Sequence, residues 1–195
     1  MAKLKSALLK AGYIPLPAWL IITTLAGFLA TDYNPITSHV SVMTLQDSPA
    51  HMLANIAALL TGIALIAFGA GIWVHSRRTV SVGALGWLLF GVAMITNGIW
   101  PMGSPMHGFY IIGIFNIIAP AMTLLDIRDE ELRERMHMAT AFVSLSAMTY
   151  LWLALTGFEP DGYSGLFQRV FGSINYFWPL AFAWVYSKSE KELTE

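Results

Sequence analysis

Met52–Val74 reads MLANIAALLTGIALIAFGAGIWV, a run of apolar and small residues without one Asp, Glu, Lys or Arg. A helix needs about 20 such residues to cross roughly 30 Å of hydrocarbon, so the stretch predicts a membrane span rather than a buried soluble helix. Five further segments read the same way: Ile14–Thr31, Val80–Trp100, Gly108–Leu125, Met138–Thr156 and Leu166–Tyr186. Lipid tolerates only helices and closed barrels, and these runs are too long and too evenly apolar for barrel strands. The expected fold is all-α, a six-transmembrane-helix bundle that takes up residues 1–195 as one domain.

Composition agrees, since 56% of the 195 residues are hydrophobic and 12% charged, against about a quarter charged in a soluble domain. A net charge of −1 leaves no basic excess for nucleic-acid phosphates. The absence of Cys excludes disulfides, thiolate metal sites, cysteine nucleophiles and cysteine-held iron–sulfur clusters. Ten of the eleven basic residues fall on one side when the loops are numbered alternately: Lys3, Lys5, Lys10, Arg77, Arg78, Arg128, Arg133, Arg135, Lys188 and Lys191. The positive-inside rule then puts both termini in the cytoplasm. Three Lys before the first apolar run resemble a secretory signal, but Phe28-Leu29-Ala30-Thr31 offers no small-x-small cleavage pattern, so the helix reads as an anchor.

Finer expectations follow from local chemistry. The mixed-charge stretch Asp126–Arg135 reads as a solvated extension of the fourth helix, with Glu130 and Glu134 facing Arg133 and Asp129 and Arg133 paired at i,i+4, or else as a docking surface for a protein partner. Most of the seven Trp fall near predicted helix ends, as interfacial anchors do. Ala58 with Gly62, and Gly83 with Gly86, carry the small side chains that let helices approach closely. Pro120 and Pro179 each follow an Asn by four residues, Asn116 and Asn175, and predict kinks or a polar gap at mid-membrane.

Chemistry is expected on the side away from the basic loops, which carries Asp32, Asn34, His39, Asp47, His51, His107, Glu159 and Asp161. Asp32-Tyr33-Asn34-Pro35 is turn chemistry, and Asp47 or Ser48 fits the N-cap of the second helix. His51 and Asn55 share a helical face, as do His107 and Tyr110, and these stripes read as the borders of an outward-facing pocket. Arg169 breaks the orientation rule; with Ser173 and Tyr176 on its face it calls for a carboxylate partner from Asp32, Glu159 or Asp161, or for a bound anion.

His39, His51 and His107 are the candidate ligands should the site hold zinc. His51 with His107, and His75 with His137, would serve two haems b, and by helix count and His distribution the chain resembles the six-helix cytochrome b561 family. The residues themselves require no cofactor.

Asp32-Tyr33-Asn34-Pro35-Ile36-Thr37 after helix one, the Arg77-Arg78 pair after helix two, and Trp100-Pro101-Met102 followed by His107 together resemble the domain-of-unknown-function family 998. That resemblance covers most of the chain. It implies a six-helix protein of a bacterial or archaeal cytoplasmic (inner) membrane, and it brings no activity with it. The expected function is binding of a lipid headgroup or small anionic molecule in the outward-facing pocket, in an accessory role beside membrane lipids or a membrane-protein partner. The alternatives are a metal-assisted or acid–base enzyme acting on a lipid, bis-histidine electron transfer, and transport.

Overall fold

The computed structural model describes residues 2–109, 114–158 and 160–192. Within them the chain is helical and without strands, forming α1 (Ala2–Lys10), α2 (Pro15–Leu29), α3 (Pro49–Ser76), α4 (Val82–Ile99), α5 (Ala119–Asp126), α6 (Glu130–Thr156) and α7 (Ser164–Glu192). Short 3-10 turns occupy Ala11–Tyr13, Val40–Leu45 and Ile114–Ile117. The rod Lys3–Leu29, α3 and α4 are each long and apolar enough to cross a membrane by length and composition.

The first rod starts earlier than Ile14, because α1 continues into α2 through the turn at Ala11–Tyr13. Its lysines are accommodated by reaching to partners: Lys10 Nζ meets Glu190 Oε2 at 2.8 Å, and Lys5 lies over the Tyr186 ring. These contacts set both ends of the chain at one end of the bundle, here the terminal end. Arg78 joins them there, with Nε 3.3 Å from Asp126 Oδ1. The opposite end, here the distal end, carries the loops that follow α2, α4 and α6.

α3 and α4 form the closest pair, and small residues make the approach feasible. A Cβ on Gly62 would stand 2.6 Å from the Gly91 carbonyl, and one on Gly91 2.8 Å from that of Gly62. Gly86 likewise faces Ala119 of α5, so both expected small-residue stripes lie at helix contacts.

Three tryptophans depart from the expected interfacial role. Trp19, Trp87 and Trp178 are buried. Trp87 and Trp178 stack at 5.2 Å beside Phe68 and Phe182. Each indole needs a buried acceptor, and Trp87 Nε1 donates to Thr123 Oγ1 at 3.0 Å while Trp178 Nε1 donates to Thr140 Oγ1 at 2.8 Å. Trp152 and Trp184 do stand on the exterior.

The fourth segment corrects the sequence expectation most. In place of one helix over Gly108–Leu125, the described residues hold the 3-10 turn Ile114–Ile117 and then the eight-residue α5. Pro120 lacks an N–H and sits in the first turn of α5, where none is required, so it begins a helix rather than kinking one. The stretch still runs the length of α4. His107 bonds Trp100 at the distal end, and Asp126 accepts from Ser81 Oγ (2.7 Å) and Gly83 N (2.9 Å) at the terminal end. Pro179, by contrast, lies inside continuous α7 as expected.

The mixed-charge stretch opens α6 instead of extending the helix before it. Asp129 is the N-cap, its carboxylate accepting from Leu132 N at 3.1 Å, and Glu130 and Glu131 complement the positive helix start. With Asp129 so engaged, Arg133 pairs with Glu130 and Arg135 with Glu131.

Candidate functional site

A cavity of about 790 Å³ occupies the distal half of the bundle. Its walls come from α2, α3, α4, α6 and α7, from the turns at Val40–Leu45 and Ile114–Ile117, and from the loop carrying His107. Three lining residues also belong to the outer surface, Leu155 at 76% exposure, Ile114 at 47% and Met102 at 37%, so the cavity reaches the exterior beside the C-terminal end of α6, the Ile114–Ile117 turn and the loop after α4.

Aromatic rings pave its floor: Tyr176 stacks on Phe90 at 5.8 Å and meets Trp19 at 5.5 Å. The polar groups stand among them. His107 is 5% exposed, and its Nδ1 lies 2.7 Å from the Trp100 carbonyl oxygen. A carbonyl only accepts, so Nδ1 carries the hydrogen and Nε2 of the neutral ring is the acceptor. Asn175 is buried, with Oδ1 lacking any hydrogen-bond partner. Gln168 spends its Oε1 on Val40 N at 2.7 Å, which fastens the roof of the cavity to α7. Among the described lining residues there is no Asp, Glu, Lys or Arg.

The residues expected to gather at a pocket are divided. His39, His107 and Tyr176 line the cavity; His51 and Asn55 do not. The His51 ring instead lies with Nδ1 3.2 Å from the Gln46 carbonyl, and the Asn55 backbone packs against Gly98 at the α3–α4 contact. Asp32 and Asn34 are exposed turn residues: Asp32 has φ +52°, and Asn34 Oδ1 accepts from Ile36 N at 2.9 Å, the expected turn chemistry. Ser48 occupies the N-cap of α3, but its side chain makes no cap bond. Ser173 is outside the lining as well. Tyr110 and Glu159 lie outside the described residues.

Among the described residues Arg169 takes neither a carboxylate partner nor a place on the cavity wall. Its guanidinium donates to the carbonyls of Pro35 (2.9 Å), Gly165 (3.1 Å) and Ser38 (3.4 Å) and to the Tyr33 hydroxyl. Backbone oxygens of the loop after α2 therefore do the work expected of an acid, and the carboxylate of Asp32 is not among its partners. No three His, Asp or Glu residues converge among the described residues, so the trio His39, His51 and His107 does not form one ligand set. His75 stands edge-on to Tyr186, and His137 is exposed, at positions unlike a facing axial pair.

Sequence reasoning passed over Trp19, Phe90, Gln168 and Gly172, which lie along the cavity wall. One signal was available: Gln168, Gly172, Asn175 and Tyr176 recur at the spacing of one helical face, polar and small together.

The sequence model of a family described as Protein of unknown function (DUF998) matches residues 14–185. The chain belongs to this family. No curated protein and no solved structure matches it. DUF998 membership agrees with the resemblance carried by the Asp32–Thr37 and Trp100–His107 segments, and it leaves the chemistry of the cavity to be argued from the residues.

Proposed function

We propose that this DUF998 protein is a six-span membrane protein, both termini cytoplasmic, that binds a membrane amphiphile in its distal cavity, admitted sideways from the bilayer. The observation that carries the reading is the joining of the cavity to the apolar exterior at Leu155 and Ile114. On α6 the exposed residues Met138, Phe142, Leu145, Met148, Trp152 and Leu155 form one stripe along the helix, an apolar face suited to lipid rather than water.

The broken fourth segment supports the same reading. Irregular backbone at membrane depth is tolerated where it is buried in protein or lines a cavity, and Ile114, Asn116 and Ile117 of the 3-10 turn line this one. A volume of about 790 Å³ lies within the range of small-molecule sites and suits a headgroup region with the first part of its acyl chains. The one-sided basic residues support the orientation.

Native mass spectrometry of the protein extracted in mild detergent tests the proposal. The wild-type chain should retain lipid adducts, and Ala147→Trp, which fills the cavity from α6, should lose them while keeping its melting temperature within a few degrees. Equal adducts on both proteins would remove the cavity as the binding place.

A second reading, an enzyme acting on the bound lipid, is favoured by the His107 ring, whose carbonyl-fixed tautomer presents a basic nitrogen. Release of a lipid fragment by the wild-type chain and not by His107→Gln would establish it.

A further inference from the structure

We infer that the ligand of the distal cavity is an uncharged lipid bearing a free hydroxyl, and that His107 Nε2 accepts its proton in a hydrogen bond. The inference rests on the proposed cavity reading and narrows it, because the sequence left open a lipid headgroup or a small anionic molecule.

Charge decides the first half. The described walls offer no Lys or Arg, and Arg169, the basic residue at this end, is occupied by three carbonyls and the Tyr33 hydroxyl. A phosphate or carboxylate in such a cavity would be desolvated without a counter-ion, which is among the costliest burials available to a protein. An uncharged headgroup has no such cost.

Hydrogen-bond polarity decides the second half. Because Trp100 O fixes the hydrogen of His107 on Nδ1, the remaining ring nitrogen accepts. Nε2 is not among the buried atoms left without a partner, and no group of the described residues bonds it, so on a ring only 5% exposed it is a polar atom still open to a visitor. Asn175 Oδ1, also without a partner, is by contrast fully buried and closed to the cavity, which leaves His107 Nε2 as the accessible acceptor. An unspent acceptor calls for a ligand that donates. A hydroxyl does so without charge, whereas an ester or ether oxygen cannot. The Gln168 amide N–H, left over after its oxygen bonds Val40, can donate to the lipid's oxygens in return.

Three probes on the wild-type protein separate the possibilities: 1,2-dioleoylglycerol, its 3-O-methyl ether, and dioleoyl phosphatidic acid, each titrated in mild detergent and read by native mass spectrometry. Dioleoylglycerol should bind most tightly, and the methyl ether about tenfold more weakly, since one hydrogen bond to a buried acceptor is lost. Phosphatidic acid should bind more weakly still. His107→Phe should bring the alcohol down to the level of the ether. Should that variant fail to fold, the alcohol-to-ether ratio on the wild-type chain still decides the matter.

Equal affinity for alcohol and ether overturns hydroxyl recognition, and phosphatidic acid matching or exceeding dioleoylglycerol overturns the uncharged class. Either result leaves the cavity reading intact if Ala147→Trp abolishes binding. Failure of all three probes, with lipid adducts unchanged in Ala147→Trp, overturns the cavity reading itself.

Discussion

The Arg169 guanidinium donates to the carbonyl oxygen of Pro35 at 2.9 Å, across 134 positions of sequence, and so ties the start of α7 to the loop that follows α2. Ser164 Oγ to Thr37 O (2.7 Å) and Leu166 N to Ile36 O (2.9 Å) extend the tie. The same loop continues into His39, Val40, Ser41 and Thr44 on the cavity wall, so the strap holds one side of the cavity in place.

Arg169→Ala should therefore cost about 1–3 kcal/mol and loosen the loop before it unfolds the bundle. Arg169→Lys should recover only part of the loss, because an ammonium is a point charge and cannot hold three carbonyls and a phenol with one planar fork. Hydrogen exchange at the Ser38 and Val40 amides reports this directly: faster exchange in both variants, greater in Ala, with α3 and α4 unchanged. Unaltered exchange at Ser38 and Val40 in Arg169→Ala would show that the loop is held by its other bonds.

Asp126 is the corresponding fastening at the terminal end. Its buried carboxylate accepts from Ser81 Oγ and Gly83 N and faces Arg78, whose side chain is 45% exposed. Asp126→Ala should destabilise by about 3 kcal/mol, since it leaves a buried amide, a hydroxyl and a charge without their partner. Arg78→Ala should cost about 1 kcal/mol or less, because that partner is largely in water. Asp126→Asn, which keeps one acceptor oxygen, should fall between them. Thermal unfolding in a single detergent ranks the three, and a larger loss for Arg78→Ala than for Asp126→Ala would contradict the assignment of the energy to burial of Asp126.

Glu190 gives the clasp between α1 and α7 a pH dependence. Bonds from Lys10 and Ser6 hold its carboxyl below the ordinary value, the Lys10 hydrogen bond being the largest cause. A depressed folded-state pKa contributes stability that is fully present above the unfolded value, about 4.3 for Glu, and is lost as pH falls through the lower folded value. Wild-type stability should accordingly exceed that of Glu190→Gln by a constant margin above about pH 5, and the two should converge as pH falls below about 4. A margin that grows on acidification would reverse the sign and refute the clasp.

Sequence was a good guide wherever apolar length decides structure, and a poor one wherever a distant partner does. Val80–Trp100 and Val82–Ile99 nearly coincide, because hydrophobic length and the Ser81 cap, which accepts from Ala84 N at 3.2 Å, are both local. The break at Ile114–Ile117 was hidden, since hydropathy registers the apolar character of Gly108–Leu125 without registering which backbone groups are bonded. Trp87 read as an anchor because its partner Thr123 is 36 residues away. In the site, His107 was found through its polarity near a helix end. His51 was grouped with it because both open helices on the same side of the expected topology, but His39 takes the place on the wall, next to the Val40–Leu45 turn that lines the cavity.

Orientation in the membrane is the remaining prediction, and the protein is well suited to test it because it contains no Cys. Asp47, Arg128 and Asp161 are all exposed, Asp47 and Asp161 at the distal end and Arg128 beside the terminal-end fastening at Asp126. Single replacements there by Cys should be tolerated, as surface changes usually lie within about 0.5 kcal/mol. With ten of eleven basic residues at the terminal end, Asp47→Cys and Asp161→Cys should react with a membrane-impermeant maleimide applied from outside the cytoplasmic membrane, and Arg128→Cys only after the membrane is opened. The Asp161 result bears most on the span count, because that loop reaches the same side as Asp47 only if the chain crosses an even number of times between them. In the proposed six-span arrangement α3, α4, the broken segment and α6 would supply four such crossings. Labelling of Asp161→Cys and Asp47→Cys from opposite sides would mean that the stretch from His107 to Asp126 turns back instead of crossing, and a five-span protein would replace the six-span one.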